Sequence, residues 1–173
     1  MRGCDRFLTR WTVMNDTVES GSDRVRRLLG ESGIDTNVVV LDTSARTSAE
    51  AAAAIGCTVA QIAKSLIFKG GQCGAHILVI VSGAHRVNEA RVAEAIAEPL
   101  AKADAAFVRE RTGYAIGGVA PIGHINPPRH VLIDSGLASL DPLWAAAGHP
   151  HMVFRLTFSD LQRLTGGRVC EIA

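Results

Sequence analysis

The chain has 173 residues, of which 47% are hydrophobic and 20% are charged. This length allows one well-buried core and is short for two full domains, and the composition excludes a disordered chain. The 18 basic and 17 acidic side chains leave a net charge of +1, so there is no global field to attract nucleic acid or a membrane, and a nucleic-acid partner would need a local basic patch.

The cysteines and the apolar runs indicate the cellular compartment. The cysteines at positions 4, 57, 73 and 170 are scattered without zinc spacing, so we expect reduced thiols in a cytoplasmic protein. Because the apolar runs are far too short to cross a bilayer, no membrane contact is expected. Residues 1–18 predict a flexible N-terminal extension, with Met14 as an alternative start, ahead of one domain over residues 19–173.

The first part of the chain predicts three helices and a strand. Residues 20–33 have an amphipathic pattern, and residues 37–41 are a β-branched run of strand length. Residues 47–56 predict an alanine-rich helix that opens with a capping box. A second short helix is expected over residues 58–64.

The middle of the chain predicts a hairpin and two helices. Two apolar runs, residues 65–69 and 75–82, flank the loop GGQCG. The second run is apolar almost throughout, so we expect it in the middle of a sheet with both faces covered. Asn88 caps a helix over residues 89–97, and a small helix follows over residues 104–111.

The last part of the chain predicts short strands and one helix. We expect a strand over residues 130–133 and a turn or short helix over residues 134–140. A hairpin should follow, with strands over residues 143–147 and 151–156. A helix over residues 157–166 and a closing strand over residues 168–172 complete the chain. Two hairpins require antiparallel pairing, and helices and strands do not alternate strictly. The sequence therefore predicts an α+β (mixed α/β) fold, a single domain with a mixed, strongly twisted β-sheet surrounded by helices.

The most unusual stretch is TGYAIGGVAPIGH, residues 112–124, which we call the glycine loop. Gly113 fits the left-handed position that ends a helix, and Gly117 and Gly118 allow backbone amides to approach a ligand closely. Pro121 stiffens the turn, which could then hold a carbonyl oxygen, a carboxylate or a phosphate. A tight connection between strands explains the same residues, and from these residues alone it is the interpretation we favour.

Lys64 is a candidate contact for an anionic ligand, because it lies where the predicted short helix meets a core strand. A lysine that merely extends its ammonium group into solvent is the simpler interpretation of this pattern. Ser65 and Ser82 lie beside it in sequence or across the hairpin. No GxSxG motif surrounds either serine, so a serine hydrolase is only weakly supported.

The histidines predict no metal centre. His149 and His151 have no carboxylate or third histidine at a metal-ligand spacing, so we interpret them as part of a hairpin turn and expect neither metal nor cofactor. His124 follows the glycine loop and could donate to a ligand, and Asp134 is interpreted as a helix cap. Basic side chains form two groups that would follow a phosphate backbone if they shared a face: Arg24, Arg26 and Arg27, and Arg109, Arg111, Arg129 and His130.

Four motifs occur in order along the chain: QIAKSLIFK at residues 61–69, ILVIVSG at 77–83, TGYAIGGVAPIG at 112–123 and FRLTFSDLQRLTGG at 154–167. Together they resemble the YbaK and prolyl-tRNA-synthetase-associated editing-domain family. The resemblance runs from about residue 22 to residue 172. Each motif alone is weak evidence, whereas four in register are specific.

The resemblance implies a free-standing trans-editing enzyme, which hydrolyses the ester between a wrong amino acid and the 3′-terminal adenosine of tRNA. The implied substrate is tRNA for proline carrying a small amino acid such as Cys or Ala. Prolyl-tRNA synthetase is a further expected partner, and monomer and homodimer both remain open.

The resemblance also implies roles for particular residues. The family lysine falls on Lys64 and is associated with the 3′-terminal nucleotide or its phosphate, and the family GxxxP loop falls on residues 117–121 and shapes the aminoacyl pocket. The expected catalytic residues are Lys64, Gly117 and Gly118, with the glycine amides holding the ester carbonyl. Substrate contacts are expected from Lys64, Ser65, Ser82, Tyr114, Gly117, Gly118, Val119, Pro121 and His124.

An aminoacyl ester is already activated, so a positioned water, or the substrate's own thiol or hydroxyl, can attack it without a protein nucleophile. Two other classes remain open. One is a non-catalytic module that binds aminoacyl-tRNA or a nucleotide and assists a synthetase or regulates. The other is a small metal- or thiol-dependent hydrolase acting off tRNA. A pocket separates Cys, Ala, Ser and Thr by only about 1 to 3 kcal/mol per small group, so the sequence leaves the amino acid open.

Overall fold

A computed structural model describes residues 19–173 of the chain. The predicted N-terminal extension and the alternative start at Met14 lie outside the described residues. Within residues 19–173, no helix is long and apolar enough to cross a bilayer.

The helices of the described part begin and end at the residues that the sequence indicates. They are α1 (Gly21–Ser32), α2 (Ser48–Ile55), α3 (Glu89–Ile96), α4 (Ala105–Thr112) and α5 (Phe158–Thr165). Each is capped by a side chain that accepts a backbone hydrogen bond from the first turn: Ser20, Thr47, Asn88, Asp104 and Thr157. Left-handed residues end them: Gly33, Gly56, Ala97, Gly113 and Gly166.

The strands divide between two sheets. They are β1 (Val38–Val40), β2 (Ala63–Gly70), β3 (His76–Ser82), β4 (Leu100–Lys102), β5 (His130–Asp134), β6 (Leu143–His149), β7 (Met152–Leu156) and β8 (Arg168–Cys170). The larger sheet has the order β4-β2-β3-β5-β8, and the smaller sheet has the order β1-β7-β6. The predicted α+β class and both hairpins are confirmed, with two sheets in place of a single one.

The larger sheet is the mixed one. In it β3 is antiparallel to β2 and parallel to β5, and it is buried along its whole length, as its apolar sequence predicts. The short strand β4 had no sequence signal. A 3-10 helix, Ser135–Ser139, follows β5, and Asp134 caps it as predicted, by accepting from the Gly136 N–H.

The predicted helix over residues 58–64 is shorter than expected. A 3-10 helix covers only Val59–Gln61, and Ile62 already has an extended backbone. Because β2 starts at Ala63 and pairs with β3 from there, Lys64 lies within a strand and not at a helix end. The pairing with β3 has therefore overridden a helix-like local pattern.

The core consists of several apolar clusters. The largest lies between the two sheets and packs Val25 and Leu29 of α1 near the glycine loop. Another fills the space between β3 and α3. A third, which we call the α2 cluster, packs α2 on the smaller sheet and comprises Leu41, Ala45, Ala51, Ala52, Ile62 and Val153.

Candidate active site

A cavity of about 590 Å³ lies where the two sheets meet. A single parallel bridge between Ile62 and Trp144 joins the edge of β2 to the edge of β6. The cavity is lined by β2, β6, the first turn of α2, the glycine loop and the turn between β6 and β7. This volume is in the range of sites that enclose a small ligand.

Some of the predicted site residues meet at this cavity. Lys64 and Ser65 come from β2, and Gly117 and Val119 come from the glycine loop. These residues are far apart in the chain, and the fold brings them to one space. Their roles in binding or catalysis stay predictions.

The other predicted site residues do not line this cavity. Tyr114 is only 1% exposed beneath the loop, and the buried Ser82 hydroxyl donates to the Ala60 carbonyl at 2.8 Å. Pro121 and His124 line a second cavity of about 530 Å³, between the loop, α1 and the α5 end of the domain. A residue's position in or next to the glycine loop in the sequence does not determine which side of the loop its side chain faces.

Lys64 lies at the rim of the cavity. Its Nζ donates to the His85 carbonyl at 2.9 Å, beyond the end of β3. Burial, and to a smaller extent the charge of Arg86, lowers the pKa of Lys64. The ammonium group therefore stands beside a second cation, in a position to meet an anion that approaches from solvent.

The pairing register leaves an open strand edge at Ser65. The Gly83 N–H donates to the Ile62 carbonyl, so the even-numbered residues of β2 are the ones that form backbone hydrogen bonds with β3. Ser65 therefore directs its backbone N–H and C=O away from β3. On that side, β4 pairs only with residues 68–70 of β2.

The Ser65 side chain adds a polar group to the same edge. Its Oγ is buried and has no hydrogen-bond partner among the described residues. The side chain shares a face of β2 with Ala63 and Ile67, both of which pack in the largest cluster. A buried hydroxyl without a partner costs about 1 to 3 kcal/mol, so a ligand that bonds to it is favoured.

The glycine loop offers a backbone donor at the cavity, the Gly117 N–H. The Gly118 N–H donates to the Ala115 carbonyl at 3.0 Å, so the prediction that this amide holds a substrate carbonyl conflicts with its place in the turn. The Gly117 N–H has no partner within residues 19–173. Gly117 has φ 91°, a left-handed conformation that favours glycine.

Gly118 serves close packing. A Cβ at this position would lie 2.8 Å from the carbonyl carbon of His149 and 2.9 Å from the nitrogen of Pro150. Both of these contacts are backbone atoms of the turn between β6 and β7, which cannot rotate away as a side chain can. The loop therefore rests directly on this turn.

The ends of the glycine loop are tied together. The Tyr114 hydroxyl lies 2.8 Å from the Ile122 carbonyl oxygen and 3.0 Å from that of Gly123. Arg24 of α1 donates through Nε to the Gly123 carbonyl at 2.5 Å, and its guanidinium lies 5.2 Å from the centre of the Tyr114 ring. Arg24 thus braces the loop.

The arginines of α1 do not form one basic face. Arg26 pairs with Asp23, and Arg27 pairs with Glu19 and Glu31, all on the exposed side of the helix. Exposed pairs of this kind add little stability, but they neutralise the charge that would follow a phosphate backbone. Because Arg24 bonds to the glycine loop while Arg26 and Arg27 lie on the exposed side of α1, the three arginines do not form the single basic group that the sequence predicted.

The buried His76 and the partly buried His124 support the backbone of the loop. His124 donates through Nε2 to the Ala120 carbonyl at 2.9 Å, because a carbonyl can only accept. Its Nδ1 then accepts from Nε2 of His76 at 3.2 Å, which fixes the neutral tautomers of both rings. His124, predicted to contact substrate, instead holds the backbone of the loop.

We expect acid to weaken the fold through His76. Burial, with smaller contributions from His124 and Arg111, lowers the pKa of His76 from 6.5 to about 4. Between these pH values the unfolded chain binds the proton and the folded one does not, so stability falls as the pH falls. The full difference corresponds to roughly 3 kcal/mol of unfolding free energy.

Urea unfolding at pH 7 and at pH 4.5 measures this loss. A His76→Gln variant keeps an N–H donor for His124 and should show a smaller loss between the two pH values. His130→Gln, at the start of β5, controls for removal of an imidazole. Equal losses in wild type and His76→Gln would contradict the assignment.

Within the described residues, no three His, Cys, Asp or Glu side chains gather into a metal-binding group. The His151 N–H donates to Nδ1 of His149 across the turn between β6 and β7. This local bond agrees with the hairpin turn that the sequence predicts for the two histidines.

Sequence reasoning missed other residues of the cavity. Arg46 and Ser48 flank the capping residue of α2, and Ile116 comes from the glycine loop. Trp144 lies in β6 and reaches the cavity through the bridge to Ile62. The capping box at residues 47–50 was a signal for the first two, whereas no local pattern marks Trp144.

Comparisons with known proteins agree with this fold. The family model of the aminoacyl-tRNA editing domain matches residues 42–164. The chain belongs to the aminoacyl-tRNA editing domain family, which confirms the resemblance carried by the four motifs.

Individual relatives support the same assignment. A crystal structure described as that of a proposed trans-editing enzyme for prolyl tRNA synthetase is 40% identical, with a TM-score of 0.81, and the match covers 88% of this chain and 96% of that one. The hypothetical protein APE2540 is 28% identical, with a TM-score of 0.79, over 86% of this chain and 98% of its own. The uncharacterized protein YwhH of Bacillus subtilis (strain 168) is 28% identical over 135 residues, which are 78% of this chain and 85% of YwhH.

Proposed function

We propose that this chain is a free-standing trans-editing deacylase that hydrolyses the ester of a mischarged tRNA, with tRNA for proline carrying Cys or Ala as the substrate. The observation that carries the proposal is the cavity of an editing-domain fold in which the unpaired Ser65 hydroxyl, Gly117 and Lys64 meet. We propose the cytoplasm as its compartment, because tRNA is charged there. Prolyl-tRNA synthetase is the proposed partner, because a 40% identical structure is described in relation to it.

The proposed aminoacyl pocket is the side of the cavity next to the glycine loop. Its walls there are aliphatic and come from Ile67, Val108, Val119 and Ala145. Such walls accept a small side chain and offer it no charged partner. This favours Ala and Cys over more polar amino acids, by the modest factors that one small group provides.

The proposed reaction breaks the bond between the carbonyl carbon and the ribose oxygen. Water adds to the carbonyl carbon, or the thiol of an aminoacyl Cys does so and forms a thiolactone that water then opens, and the proton that the nucleophile loses ends on the departing ribose oxygen. The Gly117 N–H stabilises the negative charge that develops on the carbonyl oxygen. Ser65 orients the aminoacyl group through Oγ, and Lys64 at the rim holds the phosphate of the terminal nucleotide.

The test is deacylation of tRNA for proline that carries Cys, Ala or Ser, with correctly charged prolyl-tRNA as the control. Release of Cys or Ala, but not of Pro, is the expected result. Binding of these tRNAs without release would favour the non-catalytic module. Neither binding nor release by the folded protein would remove tRNA for proline from consideration.

Ser65→Ala should move stability and activity in different directions. Because the native hydroxyl is buried and unpaired, its removal is expected to leave stability unchanged or to raise it by about 1 kcal/mol. Loss of a hydrogen bond to the substrate should lower kcat/KM by about 3- to 10-fold. Chemical unfolding and steady-state deacylation measure the two effects.

Ser82→Ala is the matched control for this prediction. The Ser82 hydroxyl is bonded to the Ala60 carbonyl, so its loss should lower stability by about 1 kcal/mol. If the two serine variants lost stability equally, Ser65 would be a structural residue and not a substrate contact.

A further inference from the structure

The cavity has a second half, bounded by α2 and the outer face of the smaller sheet. Residues of the α2 cluster, including Ile62 and Val153, line this half. Trp144 of β6 is partly buried there and packs at the edge of the same cluster. The register places Trp144 opposite Arg155 and one residue before Ala145, which packs in the largest cluster, so its indole lies on the opposite face of β6 from the proposed aminoacyl pocket.

Trp144 is the one large aromatic side chain at the cavity within the described residues. A Trp that filled the core would be enclosed, whereas this one keeps part of its surface at an open space. The indole N–H has no hydrogen-bond partner among residues 19–173. A flat π-surface beside a ligand-sized opening is suited to stacking on a nucleobase.

The same wall carries a cation. Arg46 is exposed at the cavity, immediately before the capping residue of α2, and it packs on Gly117, since a Cβ there would lie 3.6 Å from Arg46 Cα. Its guanidinium forms no ion pair with a described residue. Arg46 thus stands where the two halves of the cavity meet, next to the loop that would hold the ester.

We infer that Trp144 stacks on the terminal adenine of the tRNA, in the half of the cavity opposite the aminoacyl pocket, with Arg46 facing the sugar-phosphate between them. This inference rests on the proposed function and extends it by giving the nucleoside its own binding residue. The aminoacyl group then lies against Ser65 and Val119, and the base lies against the outer face of the smaller sheet. Base recognition and amino-acid recognition are thus separate surfaces of one cavity.

Fluorescence tests the stacking without any turnover. The chain contains two tryptophans, Trp11 and Trp144, so a Trp11→Phe variant of the full chain reports on Trp144 alone. Titration with AMP is expected to quench its emission in a saturable way, and ribose 5-phosphate, which has no base, is expected to leave it unchanged. Absence of quenching by AMP, or equal quenching by both compounds, would overturn the inference.

Steady-state deacylation gives the second readout. Trp144→Leu keeps an apolar side chain for the α2 cluster but removes the stacking surface, and it should raise KM for the tRNA about 5- to 150-fold with kcat little changed. Trp144→Phe keeps an aromatic face and should restore most of the affinity. A Leu variant with wild-type KM, or a Phe variant as impaired as Leu, would overturn the inference.

The outcomes separate this inference from the proposed function. Quenching by AMP in a protein that releases no amino acid would support the adenine site and reject the deacylase. Release of Cys or Ala by a protein whose Trp144 does not respond to AMP would support the deacylase and reject the adenine site. Circular dichroism of each variant confirms that it is folded.

Discussion

A Lys64→Ala variant is expected to stay folded and to lose about 10- to 150-fold in kcat/KM for mischarged tRNA. The loss follows from removing a charge-assisted contact with phosphate, which contributes about 1.5 to 3 kcal/mol. The fold should tolerate the change, because the Lys64 ammonium makes a single exposed hydrogen bond, to the His85 carbonyl. Deacylation under single-turnover conditions and thermal unfolding measure the two effects.

Lys69→Ala is the matched control, because Lys69 belongs to the same strand but lies over the Phe107 ring, at 5.5 Å from its centre. It should keep nearly wild-type activity. A folded Lys64→Ala protein with unchanged deacylation would remove Lys64 from the proposed site. Equal losses in both lysine variants would point to a general effect of charge.

The lysine prediction extends to pH. Because burial and Arg86 lower the pKa of Lys64, its ammonium group loses a proton at a lower pH than a free lysine does. Binding of tRNA is then full below this lowered pKa and declines as the pH rises through it. Lys64→Arg should extend activity to higher pH, after subtraction of uncatalysed ester hydrolysis, because a guanidinium stays protonated.

Gly118→Ala is expected to disrupt the site on the side of the glycine loop, across the cavity from Lys64. The added Cβ would lie under 3.0 Å from backbone atoms of His149 and Pro150, so the loop must move off the turn between β6 and β7. Overpacking of this kind costs about 1 to 3 kcal/mol of stability. Since Gly117 and Val119 flank Gly118 and both line the cavity, deacylation should fall by about tenfold or more.

Gly30→Ala is a suitable control, because Gly30 lies inside α1 and a Cβ there meets nothing within 4 Å. It should raise stability by about 0.5 to 1 kcal/mol and leave turnover unchanged. Melting curves and deacylation rates of Gly118→Ala and Gly30→Ala compare a Cβ that clashes with backbone atoms with a Cβ that has free space around it. A Gly118→Ala protein as stable and active as wild type would mean that the loop does not rest on this turn.

Local signals predicted most of the elements, because each acts within one turn of chain. The capping box of Thr47 and Glu50 and the glycine after α2 located that helix to within a residue. The division of strands between two sheets was not predictable in this way. It depends on β1 pairing with β7, whose partners such as Val38 and Phe154 are distant in sequence.

The family motifs marked Lys64 and Gly117, and both residues line the cavity, although the local pattern had put Lys64 at a helix end and the structure puts it within β2. Their roles in binding and catalysis stay predictions. Tyr114 and His124 were misplaced because a loop has two sides, and both side chains turn inward to bond its backbone. Trp144 was missed because its place at the cavity depends on the bridge to Ile62, a contact between two sheets.

The contacts of the Tyr114 hydroxyl with the carbonyl oxygens of Ile122 and Gly123 join the two ends of the glycine loop. The anchoring atoms stand at its two ends, and Ile116, Gly117 and Val119 between them line the ligand space. Positions 116 and 119 could therefore be exchanged together while the bonds at the two ends keep the loop in place. Selection of such libraries on tRNAs bearing different amino acids offers a route to editing enzymes with new preferences, including non-natural residues.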